Sequence, residues 1–194
     1  MPILAQIDGR RAYRALDSRP IPTEVLVRLA QAAHLAPSFA NMQPWRIVTV
    51  TEGEHLTALK EALTPGNYWA QKAPAIAAFV TELDWDGRLD HGRDYAFFDL
   101  GQAAMSYQLQ AVAEGLVAHP IAGFNAEIAR KALGIPDSAV LVALVILGYP
   151  GDPSHLNPRH LESERSLRSR KELEQVHAND VWLPGLVPAP NPKK

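Results

Sequence analysis

The sequence predicts an α+β domain, and three observations carry that prediction. From about Asp94 to Gly115 the chain reads as one long helix, with no charged residue between Asp99 and Glu114. Three short aliphatic and β-branched runs read as strands: Arg46 to Thr51, Ala75 to Thr81 and Val140 to Leu147. Shorter amphipathic helical patterns lie between them. The 194 residues suit a single domain, 1–194, able to bury roughly 70% of the surface its unfolded chain exposes.

In the long helix, Leu100, Ala104, Tyr107 and Ala111 recur at three- and four-residue steps, with Ala103, Met105, Leu109 and Val112 beside them. A helix apolar on most sides is expected to be buried. Small residues (Gly101, Ala103, Ala104, Ser106) would let another helix approach closely, in the core or across a dimer interface. Gln102, Ser106, Gln108 and Gln110 argue against a membrane span, since the purely apolar run falls short of about 18 residues.

Composition narrows the function classes. A net charge of -2 and a pI near 6.4 give no global electrostatic support for binding nucleic acid or a membrane surface. The absence of cysteine excludes disulfides, thiol catalysis and thiolate metal sites, and fits a cytoplasmic protein. Residues 1–8 read as too short and too soon charged for a secretory signal.

Taken in order, the chain begins with Arg10-Arg11-Ala12-Tyr13-Arg14. On a helix, positions 10, 11 and 14 share one face, so three guanidinium groups would point one way near its start, where the macrodipole disfavours cations. A bound anion would relieve that repulsion; by itself the cluster equally describes a solvated basic face. Thr23 offers an N-cap for a helix whose buried stripe is Val25, Leu26, Leu29, Ala30 and Ala33, ending before Pro37. Ala36-Pro37-Ser38-Phe39-Ala40-Asn41-Met42-Gln43-Pro44-Trp45 is a shaped loop, longer than a plain connector to the strand at Arg46 needs.

Glu54 to Leu63 reads as a short amphipathic helix, closed by Thr64-Pro65-Gly66, with Asn67-Tyr68-Trp69 following. Glu82 to Arg93 is polar, with the composition of a mobile excursion or lid, and its carboxylates lack the spacing of a metal-binding loop. After the long helix, Pro120-Ile121-Ala122-Gly123-Phe124 leads to Asn125, an N-cap for a helix over Ala126 to Leu133 that Gly134 and Pro136 end. Val140 to Leu147 is continuously apolar, so it should be a central strand covered on both faces. Arg168 and Arg170, within Arg165 to Lys171, point to one side if extended. About 184–194 reads as an extended proline-rich tail.

Four of these segments, in this order, resemble the motifs of the FMN-dependent nitroreductase family. Arg10 to Arg14 is similar to its Arg-Arg-Ser-x-Arg opening, and Ala36 to Trp45 to its Ala-Pro-Ser-x-x-Asn-x-Gln-Pro-Trp signature. Pro120 to Phe124 resembles its Pro-Ile-Glu-Gly-Phe segment, and Arg168-Ser169-Arg170 its C-terminal basic pair. The likeness runs from about residue 5 to 178. It implies a central mixed, mainly antiparallel sheet flanked by helices, and a C-terminal extension wrapping the partner subunit of a homodimer.

The resemblance also implies a site for FMN at the dimer interface. Arg10, Arg11, Ala12 and Arg14 would line the ribityl-phosphate and pyrimidine side, with Arg168 and Arg170 meeting the phosphate. A phosphate of about -1.5 to -2 charge explains why two guanidinium clusters can converge. Pro37, Ser38 and Asn41 would reach the flavin from the other subunit, and Asn67 would meet the pyrimidine edge. Pro120 and Ile121 would pack behind the ring, and a backbone N–H of Ala122 or Gly123 would approach N5. Two positions depart from the pattern: Ala12 replaces a serine, and Ala122 stands where many relatives carry glutamate. The implied chemistry is ping-pong transfer of hydride from NADH or NADPH, as transient substrate, to a quinone, nitroaromatic or activated alkene. No side chain is implied as a certain catalyst, and Arg14 would give electrostatic support. Alternatives are other FMN chemistry on the same fold, such as reductive dehalogenation or flavin breakdown, and a non-catalytic flavin-binding protein.

Overall fold

Residues 2–188 are described by the computed structural model. Two compact units divide the chain, Met1–Glu164 and Arg165–Lys194. The first holds the helices α1 (Ala5–Gly9), α2 (Thr23–His34), α3 (Gly53–Glu61), α4 (Tyr95–Ala113) and α5 (Ala126–Leu133), and all but the last residue of α6 (Pro158–Arg165). It also holds the strands β1 (Leu16–Asp17), β2 (Arg46–Val50), β3 (Ala75–Thr81), β4 (Val117–Ile121) and β5 (Val140–Pro150).

The sheet runs β1-β5-β3-β2, with β4 also paired to β5, and each described pairing is antiparallel. β3 and the middle of β5 are buried on both faces, which is why their sequences are continuous rather than alternating. The period of two still shows in what each side chain meets. Ile76, Ala78, Val80, Leu144 and Ile146 pack with Leu56 and Leu59 of α3, Ala129 of α5 and Trp69. Ala75, Ala77, Phe79, Val145 and Leu147 pack with Val25, Leu26, Leu29 and Ala33 of α2 and with Leu100, Ala103, Tyr107 and Ala111 of α4. Helices therefore cover the sheet on both sides, as the sequence predicts.

Several expectations need correction. Arg10 to Arg14 are not helical: α1 ends at Gly9, Arg10 is its extended C-cap, and the arginine segment has no regular structure. Thr23 is the first helical residue, and Pro22 holds the N-cap position without a side-chain cap. Ala30 is exposed. α4 buries Ala96, Asp99, Leu100, Ala103, Tyr107, Gln108 and Ala111, but Phe97, Phe98 and Met105 stay 42%, 62% and 37% exposed in the single chain. Its apolar surface thus continues beyond what this chain covers.

β4 is the strand the sequence hides, because His119 and Pro120 break the strand-like pattern. Proline has no N–H for a ladder, and it is tolerated here because β4 pairs with β5 alone among the described residues. The α5 expectation holds in detail. The Asn125 carboxamide oxygen accepts from the Ile128 N–H at 3.1 Å, and Gly134 ends the helix at φ 63°. In the second unit, turns at Leu173–Gln175 and Pro184–Leu186 punctuate an irregular chain. Pro184–Leu186 is a 3-10 turn rather than extended chain, and 189–194 lie outside the described residues.

Candidate functional site

The arginine segment is held by its backbone. The Arg14 N–H donates to Glu164 Oε1 at 2.6 Å, and the Tyr13 carbonyl accepts from His119 Nδ1 at 3.0 Å. A carbonyl can only accept, so Nδ1 carries the proton and Nε2 is left as the acceptor. The guanidinium of Arg11 lies over the Tyr13 ring at 5.4 Å, and that of Arg14 over Trp69 at 6.0 Å. Arg14 is half-buried, and burial lowers its pKa; Glu164 opposes that shift and Arg159 adds to it. Ala12 is exposed.

His119 sits beneath this segment, 8% exposed and stacked on Trp69 with ring centroids 4.6 Å apart. Its pKa is pushed down to about 4, first by burial and then by the charges of Arg14, Arg10 and His160, against the opposing hydrogen bond to Tyr13. The ring is therefore neutral at pH 7, and it adds no charge to an already cationic neighbourhood. The indole N–H of Trp69 is buried without a partner among the described residues.

Asn67 and Gly123 meet. The Gly123 carbonyl accepts from the Thr64 N–H (3.0 Å), the Thr64 hydroxyl (2.9 Å) and the Asn67 side-chain amide (2.8 Å). A Cβ on residue 123 would stand 2.6 Å from Asn67 Nδ2 and 2.8 Å from Thr64 Oγ1, so any larger residue in this cradle would displace these two side chains from the Gly123 carbonyl. Pro120 and Ala122 are exposed, whereas the Ile121 side chain belongs to the core. Strand alternation turns Pro120 and Ala122 to the outward surface and the Ile121 side chain toward the core.

The loop carrying Pro37, Ser38 and Asn41 is strained. Ala40, Asn41 and Gln43 take φ of 46°, 60° and 51°, in the left-handed region that residues with a Cβ rarely occupy. It is braced by the Phe39 N–H to Asp99 Oδ2 of α4 (2.6 Å) and by the Thr81 hydroxyl of β3 to the Pro44 carbonyl (2.7 Å). Inside the loop, Ser38 Oγ accepts from the Gln43 N–H, and Asn41 Oδ1 from the Gln43 amide. Among the described residues, the Ser38 Oγ and Asn41 Oδ1 bonds are accepted ones, so the Ser38 O–H and the Asn41 NH2 have hydrogens to donate. Pro37 and Asn41 are exposed.

Arg168 and Arg170 lie in the second unit, where Arg170 Nη1 donates to the Ser169 carbonyl at 2.7 Å. Sequence reasoning missed His119, Trp69 and a second basic group, Arg159 and His160 on α6. His160 stacks on Tyr68 at 5.4 Å, and its pKa is lowered by burial, then by Arg14 and Arg159. A signal for α6 was present: Asn157 precedes Pro158, and its Oδ1 accepts from the His160 N–H at 2.8 Å. Among the described residues no three His, Asp or Glu side chains could hold a metal, and no helix is long and apolar enough to cross a membrane.

These donor groups and the glycine turn lie on an α+β domain with a covered antiparallel sheet. The model of the nitroreductase family matches residues 7–75 and 64–149. A Thermus thermophilus protein named NADH dehydrogenase is 34% identical over 182 residues, covering 77% of this chain and 88% of its own. A 5,6-dimethylbenzimidazole synthase from Rhodospirillum rubrum is 27% identical, covering 75% of this chain and 81% of its own. The crystal structure of an oxidoreductase containing FMN superposes with a TM-score of 0.81 at 30% identity, covering 94% of both chains. The chain belongs to the nitroreductase family, a family of oxidoreductases.

Proposed function

We propose that this chain is an FMN-dependent oxidoreductase that uses NADH or NADPH to reduce a small acceptor: a quinone, a nitroaromatic or an activated alkene. When bound, FMN would supply the hydride chemistry between nicotinamide and acceptor, which the proposal orders as ping-pong. The observation that carries the reading is the cluster in which Arg14, Trp69, His119 and Tyr13 meet. Its donors suit a planar, acceptor-rich anion. Guanidinium groups of Arg10, Arg11 and Arg14 bind phosphate and ring oxygens, each charge-assisted hydrogen bond contributing roughly 1.5–3 kcal/mol. Asn67, steered by its bond to the Gly123 carbonyl, has a second N–H and a carboxamide oxygen for a pyrimidine edge. Pro120 and Ala122 give an apolar surface for one face of a ring, and a backbone N–H of Ala122 or Gly123 is a donor beside it. Ala122 offers no carboxylate at this position. Arg14 stabilises negative charge on a reduced ligand.

Two copies complete the site in this reading. Phe97, Phe98 and Met105 of α4, with Met42 of the strained loop, leave an apolar surface suited to a partner. Pro37, Ser38 and Asn41 then serve the partner's flavin. Arg168 and Arg170 meet the phosphate, and the second unit, with exposed Leu173, Val176, Val181, Trp182 and Leu183, wraps the other subunit. Anaerobic addition of NADH or NADPH to the flavin-loaded protein tests the proposal. Bleaching of the flavin, reversed by menadione, is expected; a loaded protein that neither nucleotide bleaches would refute turnover and leave a binding protein.

A further inference from the structure

We propose that His119 is the positioning residue for the arginine segment: by holding the Tyr13 carbonyl, it fixes where Arg10 and Arg14 present their guanidinium groups. The inference rests on the anion-binding reading of that segment given above. Between α1, which ends at Gly9, and β1, which begins at Leu16, the chain has no helix or strand to set its path. Something else must hold it. The bond from His119 Nδ1 to Tyr13 reaches across 106 residues and comes from β4, which is itself fixed by the pairing of His119 with Ile146. His119 also stacks on Trp69, the ring over which Arg14 lies. One imidazole thus fixes the backbone of the segment and the platform beneath its last arginine.

Packing alone does not call for histidine here. A leucine would fill an 8% exposed position without the cost of desolvating an imidazole. A lysine would offer a donor but add charge beside Arg10 and Arg14. Neutral imidazole supplies the N–H, the flat stacking face and no charge. Arg14 is anchored a second time through its own N–H to Glu164, so His119 governs the aim of the segment more than its attachment.

His119→Leu and His119→Asn separate positioning from packing, because the asparagine amide places a donor close to where Nδ1 stood. Two quantities are read for each: the FMN dissociation constant from fluorescence quenching, and amide hydrogen exchange over residues 10–15 in flavin-free protein. His119→Leu is expected to weaken FMN about tenfold, the effect of one buried hydrogen bond, and to speed exchange over 10–15. His119→Asn is expected to keep affinity within about threefold and exchange near that of the parent. Equal losses in both variants, or none in His119→Leu, overturn the proposal. A parent that takes up no FMN, with exchange still raised by leucine and restored by asparagine, would sink the FMN reading and leave the positioning role standing.

Discussion

His119 ties stability to acidity, and the size of the effect follows from its surroundings. Burial comes first, then Arg14, Arg10 and His160; together they bring its pKa from the ordinary 6.5 to about 4, while the Tyr13 carbonyl resists. In the unfolded chain the ring takes up a proton below about pH 6.5; in the folded chain it stays neutral until about pH 4. Its contribution is therefore fully present above pH 6.5 and is lost as pH falls toward 4. A difference of about 2.5 units corresponds to about 3 kcal/mol, of which about 2 kcal/mol is gone by pH 4.5. Urea unfolding of flavin-free parent and His119→Asn at pH 7.5 and 4.5 measures it. The variant is expected to be the less stable at pH 7.5, yet to lose about 2 kcal/mol less on acidification. Carboxylates titrate in both proteins and cancel in the comparison, while the coupling of His160 to His119 stays within the difference. Parallel losses in the two would refute the account of a histidine kept neutral by burial and neighbouring arginines.

Three further outcomes are expected. Asp86, buried next to Asp99, has its pKa raised by burial first, with the Gly87 N–H opposing. A raised carboxyl pKa gives stability that is present below the ordinary carboxylate range and lost as pH climbs through the shifted value. Asp86→Asn should thus be more stable than the parent at pH 7, with no advantage at pH 3; a variant less stable at both would contradict this. Gly123→Ala would force its methyl against Asn67 and Thr64 and should cost about 1–3 kcal/mol, read by thermal unfolding, with an unchanged midpoint counting against the cradle. Asn125→Ala removes the cap of α5 and should cost about 1 kcal/mol; a stability equal to the parent's in urea would show that cap to be idle.

Long periodic segments were legible in the sequence. β3 was read with its final limits, and α5 with its cap and glycine stop, because each carries its own local signal. The central strand is legible from its apolar run, and pairing carries β5 three residues further, through Gly148 to Pro150. β4 was not legible: its strand identity comes from pairing with β5, while its own residues include a histidine and a proline. The arginine segment was misread as helical because a spacing of three and four residues is also met by irregular chain. Its fixing contact comes from a residue 106 positions away, which no local pattern announces. The loop from Ala36 to Trp45 was recognisable as shaped, but its left-handed residues were not, since alanine and glutamine give no sign of φ near 50°.

In the proposed site the arginine segment, Asn67 and the Gly123 turn together bind FMN. The most direct measurement is the visible absorption spectrum of the protein after incubation with FMN and gel filtration. A yellow protein carrying one flavin per chain is expected, and a colourless eluate with all FMN in the small-molecule fraction would rule out FMN binding at this site.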